Sequence, residues 1–250
     1  MTIYIILIIL FLIASILFAN YLYNYLLIPK EPPFKDPNPF GYCNISKQYV
    51  KPFEVKNILT ELECNALINY CYDEKTENNK TAGIYVNNTN NLVTWIPKTD
   101  PLVKNIVEKM AEMFKMPFSN AENVRVTRYF PNQSFNDRFD SCCEDTLRCR
   151  NFMKFGGPRK VSIIIYLTDD YKGGETLFQN VGVSFKPKKG DGIVFYPMDA
   201  QTNKCHPALS YSGLPIDYGV KWIMNIWFRE SSIENANDLG YPPSVSLLNV

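Results

Sequence analysis

Hydrophobic and polar positions follow three different rhythms along this chain. The first is unbroken: residues 3–19 are almost wholly apolar, and no charged side chain precedes Lys30. With residues 21–28 the run is long enough to cross a bilayer as a helix, and it lacks the polar face of a surface helix. It predicts an uncleaved anchor over residues 1–29. A signal peptide would start with basic residues and carry a shorter apolar stretch. Tyr21, Tyr23 and Tyr25 suit the membrane–water interface. Residues 30–52, rich in proline and charge at their start, then read as an extended linker.

The second rhythm has the helical period. Thr60, with Glu63 three residues on, forms a capping-box signature before the apolar positions Cys64, Leu67, Ile68 and Cys71. A second helix is predicted over residues 101–114, with Leu102, Val103, Ile106, Val107, Met110 and Phe114 on one stripe and Pro101 at its first position. Residues 87–91 read as a loop. The third rhythm begins after Asn123. Residues 124–129, 161–167, 183–186, 192–196 and 221–228 are short, β-rich and bounded by Gly, Pro, Asn or Asp. Helices first and many short strands afterwards predict an α+β domain built on a double-sheet barrel, occupying residues 53–230 and followed by a tail over 231–250.

Composition narrows the functional classes. The chain has 250 residues, enough for one domain plus an anchor, and a net charge of +1, which offers no nucleic-acid surface. A single histidine, His206, excludes any site that needs two. Compartment signals conflict. Lys30 and Lys35 follow the apolar run with no cation before it, which alone places the domain in the cytoplasm. Seven cysteines, and N-x-Ser/Thr sequons at Asn44, Asn79, Asn87 and Asn132, point instead to an oxidising lumen such as that of the endoplasmic reticulum. The balance favours a single-pass membrane protein with a luminal domain. Cys142, Cys143 and Cys149 lie close together, so a disulfide is expected from Cys142 or Cys143 to Cys149.

The chemistry concentrates in residues 128–140 and 159–229. The phrases are RYFPNQSFNDRFD, RKVSIIIYLTDDYKGGETLF, VSFKPKKGDGIVFYP, the lone His206, and GVKWIMNIWFRE. In that order they resemble the prolyl 4-hydroxylase-type oxygenases, including membrane-anchored and viral members. The resemblance implies a double-stranded β-helix, of jelly-roll or cupin type, with N-terminal helices. It also implies Fe(II), 2-oxoglutarate and L-ascorbate as cofactors, and a peptide or protein substrate hydroxylated on a prolyl-like residue. On this pattern Asp140 and His206 hold the metal, and Lys221 pairs with the distal carboxylate of 2-oxoglutarate. Phe135, Tyr166, Thr176 and Trp222 line the same pocket. A lysine in an apolar strand needs such a partner.

Two departures qualify the resemblance. Where the family has His-x-Asp, this chain reads Arg138-Phe139-Asp140. Residues two apart on a strand share a face, so Arg138 and Asp140 both face the barrel interior. A guanidinium has no lone pair for a metal and stays protonated. The family also spaces its second histidine about five residues closer to the lysine than His206 is to Lys221, which implies an insertion around residues 208–212 or a shifted register. A catalytically inactive pseudo-oxygenase, a membrane-anchored binding or scaffold module, is therefore the rival to the active dioxygenase.

Overall fold

The computed structural model describes residues 49–72, 83–86, 92–143, 146–199 and 204–233, together with Ser15 and Phe18. The remainder of the predicted anchor, linker and tail, and the predicted loop at 87–91, lie outside the described residues. Among those described, no helix is long and apolar enough to cross a membrane.

Both predicted helices form. In α1 (Glu61–Tyr72) the Thr60 backbone N–H donates to Glu63 Oε2 at 2.7 Å, and the Glu63 N–H donates to Thr60 Oγ1 at 3.3 Å. This is the reciprocal cap the sequence announced. In α2 (Pro101–Met113) the Asp100 carboxylate accepts from the Leu102 N–H, and Val103, Ile106, Val107, Met110 and Ala111 are buried. A short third helix, α3 (Leu147–Met153), is capped by Thr146 and was not foreseen.

Thirteen strands are described: β1 (Phe53–Val55), β2 (Gly83–Val86), β3 (Leu92–Ile96), β4 (Val124–Tyr129), β5 (Phe135–Arg138), β6 (Arg159–Tyr166), β7 (Lys172–Gly173), β8 (Thr176–Phe178), β9 (Val183–Phe185), β10 (Gly192–Phe195), β11 (Tyr211–Gly213), β12 (Ile216–Tyr218) and β13 (Lys221–Arg229). The larger sheet has the order β1-β10-β6-β13-β4-β3-β2, and the smaller β5-β11-β8-β9, with β12 paired to β7. Every pairing is antiparallel.

Strand alternation divides the core in two. On the outer face of the larger sheet, Trp222, Met224, Ile226 and Phe228 of β13 pack with Val103, Ile106, Val107 and Met110 of α2. The inner face, through Tyr129, Ile164, Tyr166, Ile193, Phe195 and Ile223, meets Phe135, Phe178 and Tyr211 of the smaller sheet. Phe178 ties the two: its ring centroid lies 5.1 Å from that of Phe195 and 5.5 Å from that of Tyr211. Because β13 is central and covered on both faces, it reads as a nearly continuous apolar run.

Disulfides fix the entrance to β6. Cys142 bonds Cys149, one of the two pairings expected, and Cys143 bonds Cys205 across 62 residues. The second bond ties the segment after β5 to the residue preceding His206.

Candidate active site

The two ends of β13 serve different parts of the space between the sheets. At its start Lys221 is buried, and its Nζ donates to the Gly174 carbonyl at 2.6 Å. The ammonium lies 4.9 Å from the Tyr166 ring centroid and 5.9 Å from that of Tyr171. The Tyr166 hydroxyl and Thr176 Oγ1 share a short hydrogen bond. Lys221, Tyr166 and Thr176 thus gather as expected. Burial in this aromatic cage pulls the lysine down to about 7, opposed by the Glu175 carboxylate and reinforced by Lys186. Burial likewise raises the phenols of Tyr166 and Tyr171. Lys221 sits on the central strand of the larger sheet.

Farther along lies a pocket lined by Arg125, Tyr129, Phe135, Arg138, Asp140, Arg159, Tyr211, Asn225 and Trp227, with Phe139, Ile164 and Ile223. Asp140 is its centre. Its Oδ1 accepts from the Tyr211 hydroxyl at 2.9 Å, and its Oδ2 accepts from Trp227 Nε1 at 2.8 Å. Arg159 Nη1 stands 3.7 Å from Oδ1. Burial, and then the Asp140 charge, raise the Tyr211 phenol well above its ordinary value, so it keeps the proton it donates. Behind the pocket Glu122 accepts from Arg159 Nε and Nη2, each at 2.7 Å, and from Arg229 Nε at 2.8 Å. Those two guanidiniums overcome burial and hold its carboxyl at about 2.

Two expectations need correction. Trp222 does not line the site: alternation turns it to the helix side, where its ring lies 5.1 Å from Tyr72. His206 is buried but is absent from the pocket that Asp140 lines. It opens a 3-10 turn (Pro207–Leu209), its Nδ1 accepts from the Ala208 N–H at 3.1 Å, and its ring lies 5.0 Å from Tyr49. The residue that reaches Asp140 is Tyr211, the cross-strand partner of Arg138 in β11 and β5. Phe135 lines the Asp140 pocket, its ring 5.6 Å from Tyr211 and 4.3 Å from the Arg138 guanidinium carbon.

Residues 124–229 match the 2OG-Fe(II) oxygenase superfamily model. A putative prolyl 4-hydroxylase of Acanthamoeba polyphaga mimivirus is 40% identical over 191 residues, which cover 76% of this chain and 79% of the relative. The chain belongs to this oxygenase family. Prolyl 4-hydroxylase 1 of Arabidopsis thaliana is 30% identical over 155 residues, covering 56% of this chain and 52% of its own. Among solved structures, the viral collagen prolyl hydroxylase of Paramecium bursaria Chlorella virus-1, in complex with 2-oxoglutarate, superposes with a TM-score of 0.57. It is 26% identical and covers 75% of this chain and 98% of its own. Such neighbours have a jelly-roll core, and the two facing antiparallel sheets match it. Prolyl 4-hydroxylases use Fe(II), 2-oxoglutarate and ascorbate.

The residues of this chain do not fit the iron. A guanidinium stands where the first ligand histidine belongs. Five residues from His206 towards Lys221 is position 211, where the second is expected, and Tyr211 occupies it with its proton committed to Asp140. Both oxygens of Asp140 accept neutral donors and face Arg159. Among the described residues no group of three or more His, Cys, Asp or Glu gathers to hold a metal. Tyr211 and Arg125 were missed in the sequence. The spacing to Lys221 was the signal for the first; for Arg125, alternation with Thr127 and Tyr129 on β4 was.

Proposed function

We propose that this chain is a metal-independent member of the prolyl 4-hydroxylase family, a membrane-anchored module that binds a 2-oxo acid without running iron-dependent hydroxylation. The observation that carries it is the Tyr211–Asp140 hydrogen bond opposite Arg138, which fills the ligand positions with a phenol, a committed carboxylate and a cation. Lys221, with Tyr166 and Thr176, supplies the end that takes a distal carboxylate. An acid docking there forms a charge-assisted bond in a dry site. The bond replaces the contact of Lys221 with the Gly174 carbonyl.

The charge-free residues 1–29 support a single-span anchor. The Cys142–Cys149 and Cys143–Cys205 bonds support a luminal domain. The active-dioxygenase reading draws on the 40% identity to a putative prolyl 4-hydroxylase, whose substrate class would be a peptide. One experiment separates the two. Full-length protein is given Fe(II), ascorbate, 2-oxoglutarate and a proline-rich peptide, and succinate formation is followed. The proposal expects none above the rate without protein; turnover abolished by Asp140→Ala would establish the dioxygenase.

A further inference from the structure

We propose that Asn132 is an N-glycosylation site, its amide carrying an oligosaccharide whose first sugar stacks on the ring of Phe130. The inference rests on the reading that the domain is luminal.

The site is the tight turn that joins β4 to β5. The Gln133 N–H donates to the Phe130 carbonyl at 3.0 Å and closes it. The ring of Pro131 sets its φ at about −65°, and Asn132 follows at φ 66°. Proline and then a left-handed residue make a type II turn, and asparagine is among the few side chains enriched in that conformation. The turn is tied down on both sides. The Phe130 N–H donates to Gln133 Oε1 at 2.8 Å. The Asn132 N–H donates to the Ile216 carbonyl at 2.7 Å, and the Ile216 N–H to the Gln133 carbonyl at 3.2 Å. The backbone of Asn132 is therefore committed, while the residue itself is exposed and its amide is open to a transferase.

Its neighbours suit a sugar. Asn132-Gln133-Ser134 is an acceptor sequence with no proline in the middle, and such acceptors carry their glycans on surface loops. The other three sequons, at Asn44, Asn79 and Asn87, lie outside the described residues. Phe130, two residues before the acceptor, is 37% exposed. The Arg128 guanidinium carbon lies 4.5 Å from its ring centroid and steadies the ring. An exposed aromatic ring held at the start of the turn offers a flat apolar surface to the C–H groups of a pyranose. The Cys142–Cys149 and Cys143–Cys205 bonds suit the oxidising compartment in which the sugar donor is found. In the transfer, Asn132 Nδ2 attacks C1 of a polyprenyl-pyrophosphate-linked oligosaccharide. The Nδ2–C1 bond forms, the bond from C1 to the pyrophosphate oxygen breaks, and one amide proton is lost as the lipid pyrophosphate departs.

The test expresses the full chain in cultured eukaryotic cells and maps its peptides after enzymatic deglycosylation in heavy-oxygen water, which converts a glycosylated asparagine to labelled aspartate. Label is expected at position 132 in the native chain. It should vanish in Ser134→Ala, which destroys the acceptor sequence and leaves Asn132 in its turn. With its glycans trimmed to a single N-acetylglucosamine, the native chain is expected to melt higher than Ser134→Ala. In a Phe130→Ala background the same comparison should show no such gain. An unlabelled Asn132 in a chain whose disulfides have formed overturns the proposal and leaves the luminal reading standing. An unlabelled Asn132 with free thiols at Cys142, Cys143, Cys149 and Cys205 overturns both. Label at Asn132 with an equal gain in both Phe130 backgrounds overturns the stacking of the sugar on that ring.

Discussion

Tyr211 and Arg138 are opposite each other across β11 and β5, and the Tyr211 hydroxyl donates to Asp140 Oδ1 at 2.9 Å. That geometry makes the Asp140 carboxylate a structural acceptor, shared by Tyr211, Trp227 and Arg159.

Tyr211→Phe should therefore weaken folding and not merely alter a surface. The change leaves a buried carboxylate oxygen without its hydroxyl donor, a loss of about 1–3 kcal/mol. Asp140→Ala should cost more, roughly 3–5 kcal/mol, because it strands the Tyr211 and Trp227 donors and deprives Arg159 of a counter-charge. Urea unfolding followed by tryptophan fluorescence measures both. Equal stability of all three proteins would mean that the carboxylate is not held in this way.

Glu122 supports the same site from behind. It bridges Arg159 and Arg229, and its folded carboxyl titrates at about 2 against 4.5 unfolded. Its contribution is present above pH 4.5 and is lost as pH falls towards 2. Glu122→Gln should cost about 3–5 kcal/mol at pH 7, since two buried guanidiniums lose their shared carboxylate. The deficit should shrink in acid. Denaturant midpoints from pH 7 down to 3 test this.

Lys221 sets a second pH dependence, on the alkaline side. Its folded value is about 7 against 10.5 unfolded, so between those limits the unfolded chain holds the extra proton. Stability should rise as pH increases from 7. Burying the charged ammonium costs roughly 5 kcal/mol at and below neutral pH, an upper figure. Tyr166, Tyr171 and Tyr211 act in the other direction: burial raises their phenols, so their contribution is present below pH 10 and lost above it. The free protein is therefore expected to be most stable between about pH 9 and 10. Lys221→Met should flatten the rise. A native profile that falls steadily from pH 7 to 9 would refute the assignment.

Much of this fold was legible in the sequence, and the exceptions have physical causes. The capping box at Thr60 and Glu63 and the stripe on α2 were readable because helix ends and faces are fixed by local chemistry. β6, β10 and β13 were readable as largely apolar runs because both faces of the larger sheet are covered. β8, β11 and β12, of three residues each, carry too few positions to show a period. In the site, Lys221, Tyr166 and Thr176 came together as expected. Trp222 did not, because neighbours on a strand point to opposite faces. His206 drew attention as the one histidine, yet the pairing of β11 with β5 delivers Tyr211 to Asp140.

The cysteines offer a check on the region around the site. Non-reducing peptide mapping should recover Cys142–Cys149 and Cys143–Cys205. Cys64 and Cys71 should react only after unfolding: both are buried, and burial lifts each thiol to about 11. Rapid alkylation of either in the folded protein would contradict the packing of α1 against the larger sheet.

On the proposed reading this barrel has exchanged its metal ligands for a hydrogen-bonded and cationic cluster. Anaerobic titration with Fe(II) tests it most directly, comparing the native chain with the Arg138→His/Tyr211→His variant and reading bound metal after gel filtration. The native chain should retain no stoichiometric iron. The double variant restores two imidazoles beside Asp140 and should bind about one equivalent, the two-histidine, one-carboxylate set suited to non-haem Fe(II). Stoichiometric iron on the native chain, lost on Asp140→Ala, would show that the metal site persists.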